Sequence, residues 1–330
     1  MSDKTALKSG ERFRELGLLI FIIVLSVIFQ LRNPSFLTLA NIKDLLANTA
    51  ILGILSVGMM MVLLTRGIDL SIGATMALSG MVCSLTGIAY PDMSPLVSIL
   101  QGMAIGLVVG SIIGILVAYF NILPIIATLG LMNIIRGLTY LVSKGKWVSA
   151  YQMSAGFKNI SKGTFLGINN LVALAIIIFI IFYYFINHTR TGRFIYAVGS
   201  NPDTADVVGI PRKRIICMVY IFMGALAGLA GVLWVSKFAS AQGDTAVGYE
   251  LNVIAAVVLG GVSVSGGRGK VSGIILGTVL FGILANALPL IHISPFWQQA
   301  IQGIVILAAV IANVLMKRSN DKSALKKRAI

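Results

Sequence analysis

Apolar side chains run along this chain in long uncharged stretches, separated by short polar breaks. Such runs extend from Leu16 to Leu31, from Leu45 to Thr65 and from Leu70 to Pro91. A longer one, Met93 to Ile135, is divided by Asn121 and Pro124, and its second part continues past Arg136 to Val142. The others are Gly163 to Thr189, Ile215 to Ser236, Leu251 to Gly267 and Val271 to Met316, the last divided between Pro289 and Pro295. About 20 apolar residues cross the hydrocarbon core of a bilayer. The pattern therefore predicts an all-α, polytopic membrane protein with about ten transmembrane helices. The run Leu251 to Gly267 is short and bears glycines, which marks it as a broken or partial span.

One polar stretch between runs has a different character. Asn201 to Arg214 reads NPDTADVVGIPRKR. Asn201 is a good N-cap, Pro202 suits the first helical position, and Asp203 complements the positive end of the helix dipole. Gly209 can take a left-handed stop, and Pro211 forbids continuation. The spacing predicts a helix of about two turns over Pro202 to Val208. So short a helix is marginal alone and needs a surface to dock on. Ala205 and Gly209 leave room for close approach, and Val207 and Val208 offer an apolar contact.

Composition agrees with the runs. Of 330 residues, 57% are hydrophobic and 11% charged, against roughly 25% charged in soluble domains. The net charge of +15 follows topology. Alternating the segments places Lys4, Lys8, Arg12 and Arg14, then Arg66, the loop 188–214, Arg268, Lys270 and the basic tail 317–330 on one side. Fewer cations (Arg32, Lys43, Lys144, Lys146, Lys158, Lys162 and Lys237) fall on the other. The positive-inside rule puts both termini in the cytoplasm. The expected organisation is a cytoplasmic tail (1–15), a transmembrane domain (16–316) and a basic cytoplasmic tail (317–330). With the charge dispersed over loops, no nucleic-acid partner is expected. Two loops, Lys144 to Lys162 and Lys237 to Glu250, are expected to face outward.

Catalytic constellations are sparse. His188 and His292 lie far apart with no metal-ligand spacing around them, so no metal and no catalytic residues are expected. SGGRGKVSG is not a phosphate loop: Val264 stands where its first glycine belongs, and Val271 where Ser or Thr must follow Lys270. No cofactor is expected, and no nucleotide site. Cys83 and Cys217 fall in or beside spans, which argues against a disulfide framework. Asp69 is the one acid read as well removed from the outer loops and tails. Polar groups at membrane depth tend to face cavities, so Thr65, Asp69, Ser71, Asn133 and Arg136 are the candidates to line a pathway. Each also has a plainer reading in helix packing or capping. Glycines at four-residue spacing (Gly106, Gly110 and Gly114; Gly224 and Gly228; Gly273 and Gly277) predict close helix contacts. GIDLSIG (Gly67 to Gly73) and GVSVSGG (Gly261 to Gly267) are alike in sequence and setting, which points to an internal duplication.

Three motifs in order carry a family resemblance: LLTRGIDLSIGA, GRFIYAVGSNPDTADVVGI and YELNVIAAVVLGGVSVSGGRG. From about Asn33 to Ala312 the chain resembles the ribose-type permeases of bacterial ABC importers, which carry monosaccharides or autoinducer-2-like solutes. The resemblance implies a multi-pass protein of the bacterial inner membrane with a short cytoplasmic coupling helix that docks on a separate ATP-binding subunit. By position that helix takes in Asn201, Asp203, Thr204, Ala205 and Gly209. The resemblance further implies a second permease subunit, in a homodimer or related heterodimer, and an extracytoplasmic sugar-binding protein that delivers the substrate. The chain itself would be a transport subunit and not an enzyme. An ion-coupled secondary transporter of a small polar solute is the alternative, with Asp69 its sole candidate coupling group.

Overall fold

The computed structural model describes residues 2–294, 296–305, 307, 308 and 311. The chain enters through α1 (Ser2–Arg32) and returns through α2 (Leu39–Leu64), and α3 (Ile72–Ala89), α4 (Pro95–Ala118) and α5 (Pro124–Ser143) follow. A 3-10 turn, a short helix α6 (Ala155–Lys162) and a small hairpin of β1 (Thr164–Phe165) and β2 (Ile168–Asn169) precede α7 (Asn170–His188). Next come α8 (Arg190–Ser200), α9 (Pro202–Val207), the long α10 (Arg212–Phe238), α11 (Tyr249–Leu259) and α12 (Val271–Leu290). Among the described residues 8 helices are long and apolar enough to cross a membrane: α1 to α5, α7, α10 and α12. The protein is all-α and polytopic.

Local signals set the boundaries. α4 and α5 each begin with proline at the first turn, where the missing N–H costs nothing. Thr38, Asn169 and Thr189 accept hydrogen bonds from the first amides of α2, α7 and α8. The run that begins at Gly163 crosses only from Asn170, because the hairpin takes up its first residues. The run Leu251 to Gly267 yields α11, 11 residues long. At about 1.5 Å per residue that is roughly half of a bilayer core, so it is a partial span. Residues 296–305 are helical, and the remainder of the last predicted segment, toward Met316, lies outside the described residues, as does the tail 317–330.

The two ends of the bundle sort as the charge pattern does. At the basic end, Ser272 Oγ donates to Glu15 Oε1 at 2.9 Å, Lys270 lies 3.9 Å from the same carboxylate, and Arg66 reaches the end of α8. At the opposite end Asn33 Nδ2 donates to Leu290 O at 2.7 Å, Lys237 Nζ donates to Asn48 Oδ1, and Val148 pairs with Ala241.

α10 is the central helix, buried against α2, α3 and α4. Its seam with α4 is glycine on glycine. A Cβ added to Gly106 would overlap the Gly224 carbonyl oxygen, and one on Gly224 would overlap that of Gly106. Gly102 and Gly228 repeat the arrangement one turn toward the opposite end. Lipid tails are as apolar as the helices, so close backbone packing is the main source of cohesion in such a seam.

The segment after α10 does not form an outward polar loop. From Ala239 the chain turns back into the bundle, and Ala241, Gly243, Thr245 and Ala246 are buried. Small side chains and a left-handed Ala239 and Gly248 let a series of tight turns descend between helices, with Thr245 N on Gln242 O and Val247 N on Asp244 O, so α11 starts inside the protein. α3 starts inside as well. Residues 65–71 climb without helix from the end of α2, and Met76, in the first turns of α3, already packs on Gly231 of α10.

Candidate functional site

The loop 188–214 folds into α8 and α9. Asn201 is extended (φ −149°, ψ 98°) and its side chain accepts from Thr204 N at 3.1 Å. Pro202 opens the helix and Asp203 lies in its first turn. Gly209 stops it at φ +77°, with its N–H on Asp206 O and that of Ile210 on Ala205 O. That conformation is one an L side chain adopts only under strain. Ala205 turns inward and is 2% exposed, so it packs on the chain itself and does not front a docking surface. The outward face is Asp203, Thr204, Val207 and Val208, the two valines 87% and 66% exposed. Arg212 pairs with Asp206 at 3.1 Å, but both side chains are well exposed, so the pair contributes little stability.

Directly before α9 lies a contact that the sequence did not reveal. Arg66, itself left-handed at φ +65°, donates from Nε to Gly199 O at 2.7 Å and from Nη2 to Ser200 O at 2.8 Å. The N–H of Gly267 donates to Leu64 O at 2.9 Å. A Cβ on Gly199 would overlap that same Leu64 oxygen and crowd the Gly267 nitrogen. Tyr196 Oη donates to Gly269 O at 2.9 Å. Three pieces of backbone are thus tied together: the end of α8, the end of α2 and the connection from α11 to α12. The two similar stretches GIDLSIG and GVSVSGG enter and leave this knot, and Gly266 leaves space for the Arg66 side chain.

Inside the bundle the first turns of α3 and α11 approach each other. Asp69, 2% exposed, accepts from both the N–H (2.9 Å) and the hydroxyl (2.7 Å) of Ser71 at the positive end of α3. Gly73, two residues on, faces the Glu250 carboxylate and the Ala246 carbonyl, and a Cβ there would collide with both. Arg136 of α5 donates from one Nη1 to Gly243 O and Thr245 O, each at 2.8 Å. It therefore holds the descending segment against α5. Glu250 lies close enough to Asp69 and Arg136 to act on both electrostatically. Asp69 is therefore not the one acid inside the bundle: Glu250 joins it because 239–248 folds inward.

The other two sequence candidates lie apart from this cluster. Thr65 is buried at the basic end of α2, its hydroxyl donating to Val62 O at 2.9 Å. Asn133 is exposed on α5 and donates to Leu129 O at 3.1 Å. Among the described residues no group of His, Cys, Asp or Glu has the arrangement of a metal site.

Comparison with known proteins finds strong similarity along most of the chain. A family described as branched-chain amino acid transport system / permease component matches residues 41–310. The ribose import permease protein RbsC of Escherichia coli K12 is 38% identical over 298 residues, 89% of this chain and 92% of that protein. RbsC of Bacillus subtilis 168 is 40% identical over 296 residues, 90% of each chain. The L-arabinose ABC transporter permease protein AraH of Azospirillum brasilense is 34% identical over 310 residues, 94% of this chain and 90% of that one. No solved structure matches.

Proposed function

The chain belongs to the branched-chain amino acid transport system / permease component family, and from that premise we propose that it is the membrane-spanning subunit of an ABC importer for a monosaccharide or sugar-like solute. Its relatives' names, ribose and L-arabinose permeases, support the substrate class. The proposal includes a separate ATP-binding subunit at the basic, cytoplasmic end, an extracytoplasmic binding protein at the other, a second permease subunit, and the bacterial inner membrane as location.

One observation carries the reading most directly. α9 is a 6-residue helix that holds its cap and stop correctly yet leaves Val207 and Val208 bare at the basic end, a docking face that no other described residue covers. Nucleotide-driven motion of the ATP-binding subunit would reach the spans through α9. In this proposal Asn133 and Arg136 line the solute route along α5, with Thr65, Asp69 and Ser71 behind the start of α3.

Changing Val207 and Val208 together to Asp tests the docking face. Both are exposed, so the permease should reach the membrane at parental levels. Co-purification of the ATP-binding subunit should drop at least about tenfold, as expected when a central apolar contact worth roughly 1.4 kcal/mol or more is lost. Parental co-purification and uptake would refute the docking role.

Orientation has its own test. Tyr151, in the connection between α5 and α7, is 87% exposed at the end opposite α9. A cysteine there should react with an impermeant thiol reagent in intact cells, against the background of Cys83, which is buried, and Cys217, which is partly so. Labelling that requires lysis would invert the topology.

A further inference from the structure

Between α2, α10, α11 and α12, at the end opposite α9, lies a cavity of about 140 Å³. Its walls divide by chemistry. Trp234 and Tyr249 meet edge to face with ring centroids 4.9 Å apart and supply an apolar side. Asn48, Thr49, Lys237 and Asn252 supply a polar one. Lys237 Nζ is already engaged by Asn48 Oδ1. Thr49 is 7% exposed, and its hydroxyl oxygen is buried with no hydrogen-bond partner. Asn252 is half-buried, and among the described residues its amide makes no hydrogen bond. A buried hydroxyl such as that of Thr49 is rarely left so, and in the interior of a membrane protein polar groups point to cavities that hold polar material.

We propose that this cavity is a binding site for a monosaccharide-sized polyol, a station on the import route at the outer end. The proposal rests on the sugar-permease reading and names a place for the solute within the chain. Hydroxyl groups both donate and accept, which matches a wall of two amides, a hydroxyl and an ammonium. An acceptor-only phosphate or carboxylate would use the amide, hydroxyl and ammonium donors but would leave the Asn252 amide oxygen without a donor. The C–H face of a sugar ring fits the Trp234 and Tyr249 side, as amphipathic ligands do on aromatic walls. A water's share of liquid volume is about 30 Å³, so the space has the scale of roughly five waters, that of a small polyol. The position also connects to the inner cluster. Tyr249 and Asn252 face the cavity from the first turn of α11, while Glu250, between them, faces Gly73 and Asp69. Occupancy of the cavity and the contact between α3 and α11 therefore share one helical turn.

The full-length permease carries 3 tryptophans. With exposed Trp147 and Trp297 changed to Phe, Trp234 becomes the sole emitter. In nanodiscs its emission should shift saturably with D-ribose or L-arabinose and not with sn-glycerol 3-phosphate, a mimic of a phospholipid headgroup. Asn252→Leu and, separately, Thr49→Val should weaken that response about tenfold, the equivalent of one hydrogen bond to the sugar. Both should lower uptake in cells that express the complete importer, with permease levels unchanged. No pentose response, or an equal response to glycerol phosphate, overturns the cavity assignment, and so does parental uptake in both variants. Absence of ribose and arabinose uptake by the parent importer would instead overturn the substrate reading, which separates the two failures.

Discussion

Gly224→Val should remove most of the protein from the membrane fraction, while Gly17→Val should leave it there. Gly224 faces α4 so closely that its Cβ would overlap Gly106 O and come within 2.8 Å of Gly110 Cα and N. Gly17 has nothing within 4 Å. Adding carbon to a packed core costs about 1–3 kcal/mol when side chains can shift. Here the neighbours are backbone atoms of a helix that is itself pinned to α10 at Gly102 and Gly110, so the helices must part and the whole seam loses contact. Against a total stability of about 5–15 kcal/mol, that loss is large. Immunoblots of membranes and melting of the detergent-solubilised protein would measure it. A Gly224→Val protein that accumulates and melts like the parent would show that the seam is not a main source of cohesion.

Much of this architecture is legible in the linear pattern, because lipid imposes a length on every span. Asn121 and Pro124 mark the turn between α4 and α5 correctly, since proline opens a helix as readily as it breaks one. The cap and stop of α9 are legible for the same reason: Asn201, Pro202 and Gly209 each have a single strong local preference, and the structure gives each its preferred geometry. What the pattern hides is direction. Residues 239–248 read as a polar outer loop because they contain Ser240, Gln242 and Asp244, yet small residues alternate with them and let the segment fold inward. That inversion brings Glu250 to Asp69 and Gly73, a neighbourhood set by tertiary packing alone. The inward face of Ala205 is hidden likewise, because a helix of 6 residues is too short for its periodicity to declare a buried side. Arg66 reads as a topological charge, and only the folded chain shows which carbonyls it holds.

Arg66→Gln should uncouple the importer while leaving it assembled. The guanidinium spans two successive carbonyls, Gly199 O at 2.7 Å and Ser200 O at 2.8 Å, immediately before the Asn201 cap of α9. Hydrogen bonds to a charged group are worth about 1.5–3 kcal/mol each, and the fixed fork of arginine meets both acceptors at once. Glutamine is shorter and neutral and cannot span them. The end of α8 would then hold α2 through the glycine contacts alone, and the α11–α12 connection through those contacts and the Tyr196–Gly269 hydrogen bond. Motion imposed on α9 would reach α7 and α10 through the chain but would no longer draw on Leu64 or on the unwound segment that leads to Asp69. Because Val207 and Val208 are untouched, the ATP-binding subunit should still co-purify. Uptake should fall at least about tenfold, the loss expected from one such bond, and stimulation of ATP hydrolysis by loaded binding protein should fall with it. Gly199→Ala should do the same or worse, since its Cβ would overlap Leu64 O. Should that variant fail to accumulate, Arg66→Gln decides the matter alone, being half-exposed at the surface of the knot. Transport and stimulation at parental levels in Arg66→Gln would mean that motion passes from α9 to the spans by covalent continuity, with no role for the knot.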